Sequence, residues 1–295
     1  MNILVKSRIL CRPMQESDLR LTKKYKKQRM NFRMQGDENM KHFIIEEKEN
    51  VVHLRIARGE KYNALNAELL AEFVEALNQI NESESQILVL SGKGDGFCAG
   101  GDLSMMKDVA DRDKYGSVMD NIESIVKTIY TMPKIVISAL HGPVVGLGLS
   151  IALSADYVVA EPDAELSMNF IGIGLAPDGG GHFWLQERLG THQAKHFAWG
   201  GKKMRAKEAY DHKLVDIVVN GSVFEEVDHI AQEWSTRPLK SMIATKDIYH
   251  RYGLEQLTKY LENERQTQWQ LRQTEDHLEG VQAFLEKRKP EFRGK

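Results

Sequence analysis

Residues 132–150, MPKIVISALHGPVVGLGLS, carry the reading that decides the fold. Pro133 closes what precedes it, Ile135 to Leu140 is a short apolar, β-branched run suited to a buried strand, and His141, Gly142 and Pro143 force a turn. A helix starts beyond that turn. Gly146 and Gly148 have no side chains, so the first free N–H groups of the helix are open to a bound anion or a polarised carbonyl oxygen. The same glycines equally permit close packing of strand on helix, and the segment alone leaves both readings open.

Working outward, Ile87 to Leu103, ILVLSGKGDGFCAGGDL, repeats the arrangement: an apolar run, a glycine-rich turn from Gly92 to Gly96, then Ala99-Gly100-Gly101-Asp102 with uncovered backbone N–H groups. Two such loops, each following a buried strand, can converge on one oxygen. In these features the chain resembles the crotonase superfamily, the enoyl-CoA hydratase and isomerase group, from about Phe43 to Gly294. Separated motifs agree in order: Lys61-Tyr62-Asn63-Ala64-Leu65, Phe97 to Asp102, the turn and helix above, Asp156-Tyr157, Gly174-Leu175-Ala176-Pro177-Asp178-Gly179-Gly180, and Glu286 to Phe292. The resemblance implies an α/β fold, a spiral of ββα units with a C-terminal helical region. It makes the backbone N–H groups of Gly101 and Leu147 the two oxyanion donors. It further implies an acyl-CoA thioester substrate contacted by Lys61, Asn63, Ala64, Leu65, Ala99, Gly100, Gly101, Asp102, Leu103, Gly146, Leu147, Ser150 and Phe170. Coenzyme A is then part of the substrate, with no separate cofactor and no metal.

Length and composition bound the rest. At 295 residues and 42% hydrophobic content, the chain can bury one sizeable core. No apolar run approaches the roughly 18 residues of a membrane-spanning helix. The formal charge of −2 hides an asymmetry: residues 1–39 carry 10 Lys and Arg against 4 acids, leaving 30 against 38 for the remainder. Cys11 and Cys98 suggest neither a disulfide framework nor a zinc site, and a reducing cytoplasm fits. The basic residues 1–39, with Lys23-Lys24-Tyr25-Lys26-Lys27-Gln28-Arg29, lie outside the resemblance and lack a secretory signal's apolar region. They read as a solvated tail, as a nucleic-acid or membrane contact, or as residues preceding a true start at Met40.

From Met40 the chain reads as repeated strand-turn-helix units, residues 40–236, followed by helices over 237–295. Val51 to Ile56 is a half-buried strand, and Asn63 or Asn66 caps a helix reaching Ile80 with Leu69, Leu70, Phe73, Val74 and Leu77 on its inner face. Tyr115 to Thr131 is the next helix, Asp156 to Ala160 a strand, Gly180 to Leu189 a short helix and Leu214 to Val219 the last strand. Such alternation implies right-handed parallel crossovers. The helices beyond Ser222 are Val223 to Ser235, Leu239 to Arg251, Leu254 to Arg272 and Glu275 to Arg288. Their large apolar side chains Trp234, Tyr260, Trp269 and Phe284 pack on the core or on a neighbouring subunit. By resemblance the chain is a homo-oligomer, a trimer or dimer of trimers. The cations of Glu286 to Lys289 are candidates for the phosphates of coenzyme A.

The chemistry then turns on carboxylates. The superfamily's hydratases activate water with two glutamates, and the matching positions here are Ser150 and Phe170. An unassisted serine hydroxyl is not basic near neutral pH and phenylalanine moves no protons, so hydration is disfavoured. By resemblance Asp178 stands where several isomerases carry a proton-shuttling acid; read from the residues, an aspartate entering a helix is equally an N-cap. Asp102 reads as loop-fixing, and His141 and His182 as structural. The expected activity is enoyl-CoA double-bond isomerisation. Hydratase, 3-hydroxyacyl-CoA hydrolase and non-catalytic acyl-CoA- or RNA-binding readings stand as alternatives, and acyl length depends on side chains such as Met105, Met106, Tyr130 and Phe170.

Overall fold

A computed structural model of the chain describes residues 40–102 and 111–295. The expectations placed on residues 1–39, Leu103, Met105 and Met106 lie outside the described residues. β1 (Phe43–Lys48) and β2 (Val51–Ile56) pair antiparallel across Glu49 and Asn50, a connection too short for a crossover. This hairpin adds an antiparallel edge to the parallel crossovers that the strand–helix alternation implies. Beyond it β2 is followed by α1 (Ala67–Glu82), capped by Asn66, whose side chain accepts from Leu69 N at 2.8 Å. Next come β3 (Ile87–Gly92), α2 (Arg112–Thr131), β4 (Ile135–Leu140), β5 (Pro143–Val145), α3 (Leu147–Leu153), β6 (Tyr157–Ala160), β7 (Glu165–Ser167) and α4 (Gly181–Gly200). The chain continues through β8 (Met204–Arg205), α5 (Ala206–Asp211), β9 (Ile217–Val218), α6 (Val223–Ser235), α7 (Leu239–Leu271) and α8 (Glu275–Leu285).

Two sheets emerge, a six-stranded one in the order β1-β2-β3-β4-β6-β9 and a three-stranded one in the order β5-β7-β8. Each ββα unit gives its first strand to the large sheet, in parallel, and its second segment to a smaller layer. Even units without a full second strand obey this rule: Leu65 bridges Gly101 and Cys98 bridges Val144, both in parallel. The spiral expected from the sequence is thus present, and its second layer is where the exposed backbone of the glycine loops collects.

Burial on both faces explains the unbroken apolar runs of β3 and β4. Leu88 and Leu90 of β3 meet Leu69, Leu70 and Phe73 of α1, whereas Ile87 and Val89 belong with Val223, Val227 and Ile230 of α6. Each such side chain, removed from water, stabilises the fold by about 1.5–3 kcal/mol. Leu257 and Leu261 of α7 join the same core as α1.

Several boundaries differ from expectation for identifiable reasons. Pro143 opens β5 rather than completing the turn: it needs no N–H partner there, and its carbonyl accepts from Cys98 N at 3.1 Å. The two helices expected at 239–251 and 254–272 are one, α7. Gly253 is no break: a Cβ there would lie 2.3 Å from the Tyr130 hydroxyl oxygen, so glycine is what lets the helix pass. By contrast Gly190, at φ +71°, does end the regular first half of α4, and the chain re-enters a helix up to Gly200. The last strand contracts to Ile217–Val218, and the final helix ends at Leu285.

Candidate active site

The two glycine loops meet in the second layer. Ala99 N donates to Tyr62 O at 2.9 Å, Leu65 N to Gly100 O at 2.8 Å and Asp102 N to Leu65 O at 2.8 Å, which pins residues 99–102 against the 62–65 segment. Arg58 secures the far end, its guanidinium 2.8 Å from the Asp102 carboxylate and 2.7 Å from Ala64 O. On the other side Val145 N donates to Cys98 O at 2.9 Å, and Gly146 N to Ser167 O at 2.8 Å. Glycine is required at the contact: a Cβ on Gly100 (φ +90°) would lie 2.7 Å from Val145 O and 3.6 Å from Leu147 N. One on Gly148 would lie 2.6 Å from Cys98 O. Among the described residues neither Gly101 N nor Leu147 N has an acceptor, and both residues line one cavity of about 180 Å³. Two free N–H groups facing one small space can hold a developing oxyanion.

Asp178 lines the same cavity and is only 8% exposed. Its Oδ2 accepts from Gln268 Nε2 at 3.1 Å, whereas Oδ1 is buried without a partner among the described residues. The N-cap reading does not hold for its carboxylate. That duty falls to Glu264 of α7, which accepts from Gly180 N at 2.8 Å, from His182 N at 3.1 Å and from His182 Nδ1 at 2.8 Å. Burial first, and the nearby Glu264 charge second, push the Asp178 carboxyl up to about 7, against the opposing pull of Arg272, Gln268 and His182. The turn that presents it is backbone-driven. Gly179 and Gly180 both take positive φ, and a Cβ on Gly179 would lie 2.6 Å from Leu147 Cδ1.

The structure gathers Ala99, Gly100, Gly101, Gly146, Leu147, Phe170 and Asp178 around the cavity, with Val118, Met119, Ile122, Leu175, Arg272 and Phe284. Other expected contacts are used elsewhere. Asn63 is fully buried, its amide donating to Lys93 O and Gly96 O and its oxygen accepting from Arg58 N, so it braces the loop instead of facing a ligand. Ser150 is fully buried too, and its hydroxyl donates to Asp178 O at 2.7 Å, behind the cavity wall. Leu65 serves through its backbone from within the core, Ala64 through its carbonyl, and Asp102 through Arg58; Lys61 is exposed. Of the terminal cations, Arg288 is engaged by Glu279 and Glu286. His141 Nε2 donates to Gly94 O (2.9 Å), and among the described residues no three His, Cys, Asp or Glu are placed to hold a metal. Phe284 is 61% exposed despite its size.

Sequence reasoning missed Glu264, Gln268 and Arg272. Glu264 and Gln268 are buried on α7 and Arg272 at its C-terminal cap, and all reach the Asp178 turn or the cavity. Their signal was present as a polar row at four-residue spacing beside the apolar Leu257 and Leu261, a pattern that places the row on one helix face.

Comparison with known proteins places the fold and the family. A family model described as enoyl-CoA hydratase/isomerase matches residues 46–295. YhaR of Bacillus subtilis (strain 168), whose name places it among enoyl-CoA hydratases/isomerases, is 46% identical over 242 residues, covering 82% of this chain and 95% of its own. The 1,2-epoxyphenylacetyl-CoA isomerase of Escherichia coli (strain K12) is 30% identical over 262 residues, 87% of this chain and 100% of its own. An enoyl-CoA hydratase structure from Mycobacterium avium subsp. paratuberculosis K-10 aligns with a TM-score of 0.76 at 26% identity, over 85% of this chain and 98% of that one.

Proposed function

The chain belongs to the enoyl-CoA hydratase/isomerase family, with its crotonase fold, and on that premise we propose that it is an enoyl-CoA isomerase in which Asp178 shuttles the proton. The carrying observation is Asp178, among the described residues the one buried carboxyl of the cavity lining, whose Oδ1 has no partner among them and whose pKa is raised to about 7. In this reading Gly101 N and Leu147 N donate to the thioester oxygen of a 3-enoyl-CoA. The Asp178 carboxylate removes a proton from C2, leaving a dienolate whose negative charge the two N–H groups hold. The protonated Asp178 then returns the same proton to C4, and the double bond moves from C3 to C2. Nothing is oxidised, and coenzyme A leaves as part of the product, so no separate cofactor enters.

The second observation is negative for hydration. Phe170 offers no proton chemistry, and the Ser150 hydroxyl is committed to Asp178 O. Turnover of matched 2-enoyl-, 3-enoyl- and 3-hydroxyacyl-CoA thioesters tests the choice: isomerisation of the 3-enoyl substrate should dominate. Crotonyl-CoA hydration near the usual enzyme median of about 10 s⁻¹ would contradict it. The same family reading makes the active species a trimer or dimer of trimers. Exposed Trp199, Phe284 and Leu285 support self-association, and light scattering should return three or six times the chain mass.

A further inference from the structure

Among the described residues, two ionisable side chains line the cavity, Asp178 and Arg272. Arg272 ends α7, where its backbone N donates to Gln268 O at 3.0 Å, and its side chain turns back over the ring of Tyr115, 5.2 Å from the centroid. It is 9% exposed, its Nε is buried without an acceptor, and among the described residues no hydrogen bond or ion pair engages its guanidinium. Asp178 attracts it across the cavity without a hydrogen bond or close ion pair between them, and the carboxylate's one hydrogen bond comes from Gln268.

A guanidinium cannot shed its proton, so an unpaired one beside Val118, Met119 and Ile122 is costly unless a ligand supplies the counter-charge. The Tyr115 face offsets part of that cost but accepts no N–H bond in the guanidinium plane. Raised to about 7, Asp178 carries only part of a charge near neutral pH and leaves the imbalance standing. The planar fork of donors matches a carboxylate, which it can bind with two parallel bonds.

We propose that Arg272 selects acyl-CoA thioesters whose short acyl chain ends in a carboxylate. This rests on the proposed function, since it assigns the acyl group to the cavity shared by Gly101, Leu147 and Asp178. Substrate class is then set at the end of α7, remote in sequence from the loops that perform the chemistry. A plain alkyl chain would leave the guanidinium unsatisfied and bind less well.

Two measurements on the full chain test it. Calorimetric binding of the saturated thioesters hexanoyl-CoA and hexanedioyl-CoA needs no turnover, and the dicarboxylic form should bind about 10- to 100-fold more tightly, the range for a charge-assisted pair. Isomerisation of 3-hexenoyl-CoA and 3-hexenedioyl-CoA should show the same preference in kcat/KM. In Arg272→Gln, checked for an intact melting transition, both preferences should collapse to within about threefold. Equal wild-type affinities for the two saturated thioesters would overturn the proposal whatever the variant does, and would give the guanidinium to the coenzyme A moiety that both ligands share. A binding preference that Arg272→Gln leaves intact would overturn it as well. A binding preference without isomerase turnover would leave Arg272 assigned and fail the isomerase reading instead.

Discussion

Asp178 and Glu264 are two buried carboxyls given different work by their surroundings. Glu264 is met by two backbone N–H groups and His182, so its acceptor oxygens are satisfied inside the protein. Asp178 has one amide donor and an orphaned oxygen, which is how a carboxyl is kept near its protonation midpoint. Because the Glu264 charge helps raise Asp178, Glu264→Gln should lower the Asp178 pKa and move the acid limb of the kcat/KM profile to lower pH. An unmoved limb would separate the two groups. The oxyanion assignment is tested as directly. Gly101→Pro removes one unpartnered N–H and should reduce isomerisation by about 10²-fold or more. A turnover within a few fold of wild type would exclude Gly101 as a donor.

At the scale of elements, close backbone approach at glycines decides where the loops meet. Gly148→Ala would drive a Cβ to within 2.6 Å of Cys98 O and 2.8 Å of Cys98 Sγ, so α3 must withdraw from the 98–101 loop. Overpacking of this kind costs about 1–3 kcal/mol, and here it should also weaken turnover, because Leu147 N opens α3. Thermal melting and kcat on the one variant check both effects. The glycine loops were legible in the sequence because glycine turns after apolar runs are local signals, whereas Asp178 stood out only through the family resemblance and from the residues alone read equally as an N-cap. Asn63 and Ser150 read as ligand contacts because chemistry-bearing side chains give no sign in one dimension that a neighbouring carbonyl has already claimed them. The gap left between the helices expected at 239–251 and 254–272 holds Gly253, whose place inside one helix only the Tyr130 hydroxyl, far away in sequence, explains. The Glu264, Gln268 and Arg272 row was visible as spacing, but which core that face meets is a tertiary fact.

For the molecule as a whole, the site has a cost in stability that pH reveals. The Asp178 carboxyl titrates near 7 when folded and near its ordinary 3.8 when unfolded. Between those values the folded chain holds a proton that the unfolded chain has released, so this contribution is fully present below about 3.8 and is lost as pH rises through about 7. The loss amounts to about 4 kcal/mol, at roughly 1.4 kcal/mol for each pH unit between the two pKa values. Asp178→Asn should therefore flatten the pH dependence of the melting temperature and raise it at pH 8 relative to wild type, whereas a melting profile as steep as the wild type's would place the burden elsewhere.

The central claim is that the buried carboxyl is a proton shuttle kept at a stability cost, and asparagine separates those two roles. The measurement is 3-enoyl-CoA isomerisation by Asp178→Asn at pH 8, with its melting temperature taken in the same buffer. We expect turnover to fall by about 10²- to 10⁴-fold while the protein melts no lower than wild type. Undiminished isomerisation in a folded Asp178→Asn protein would contradict the account.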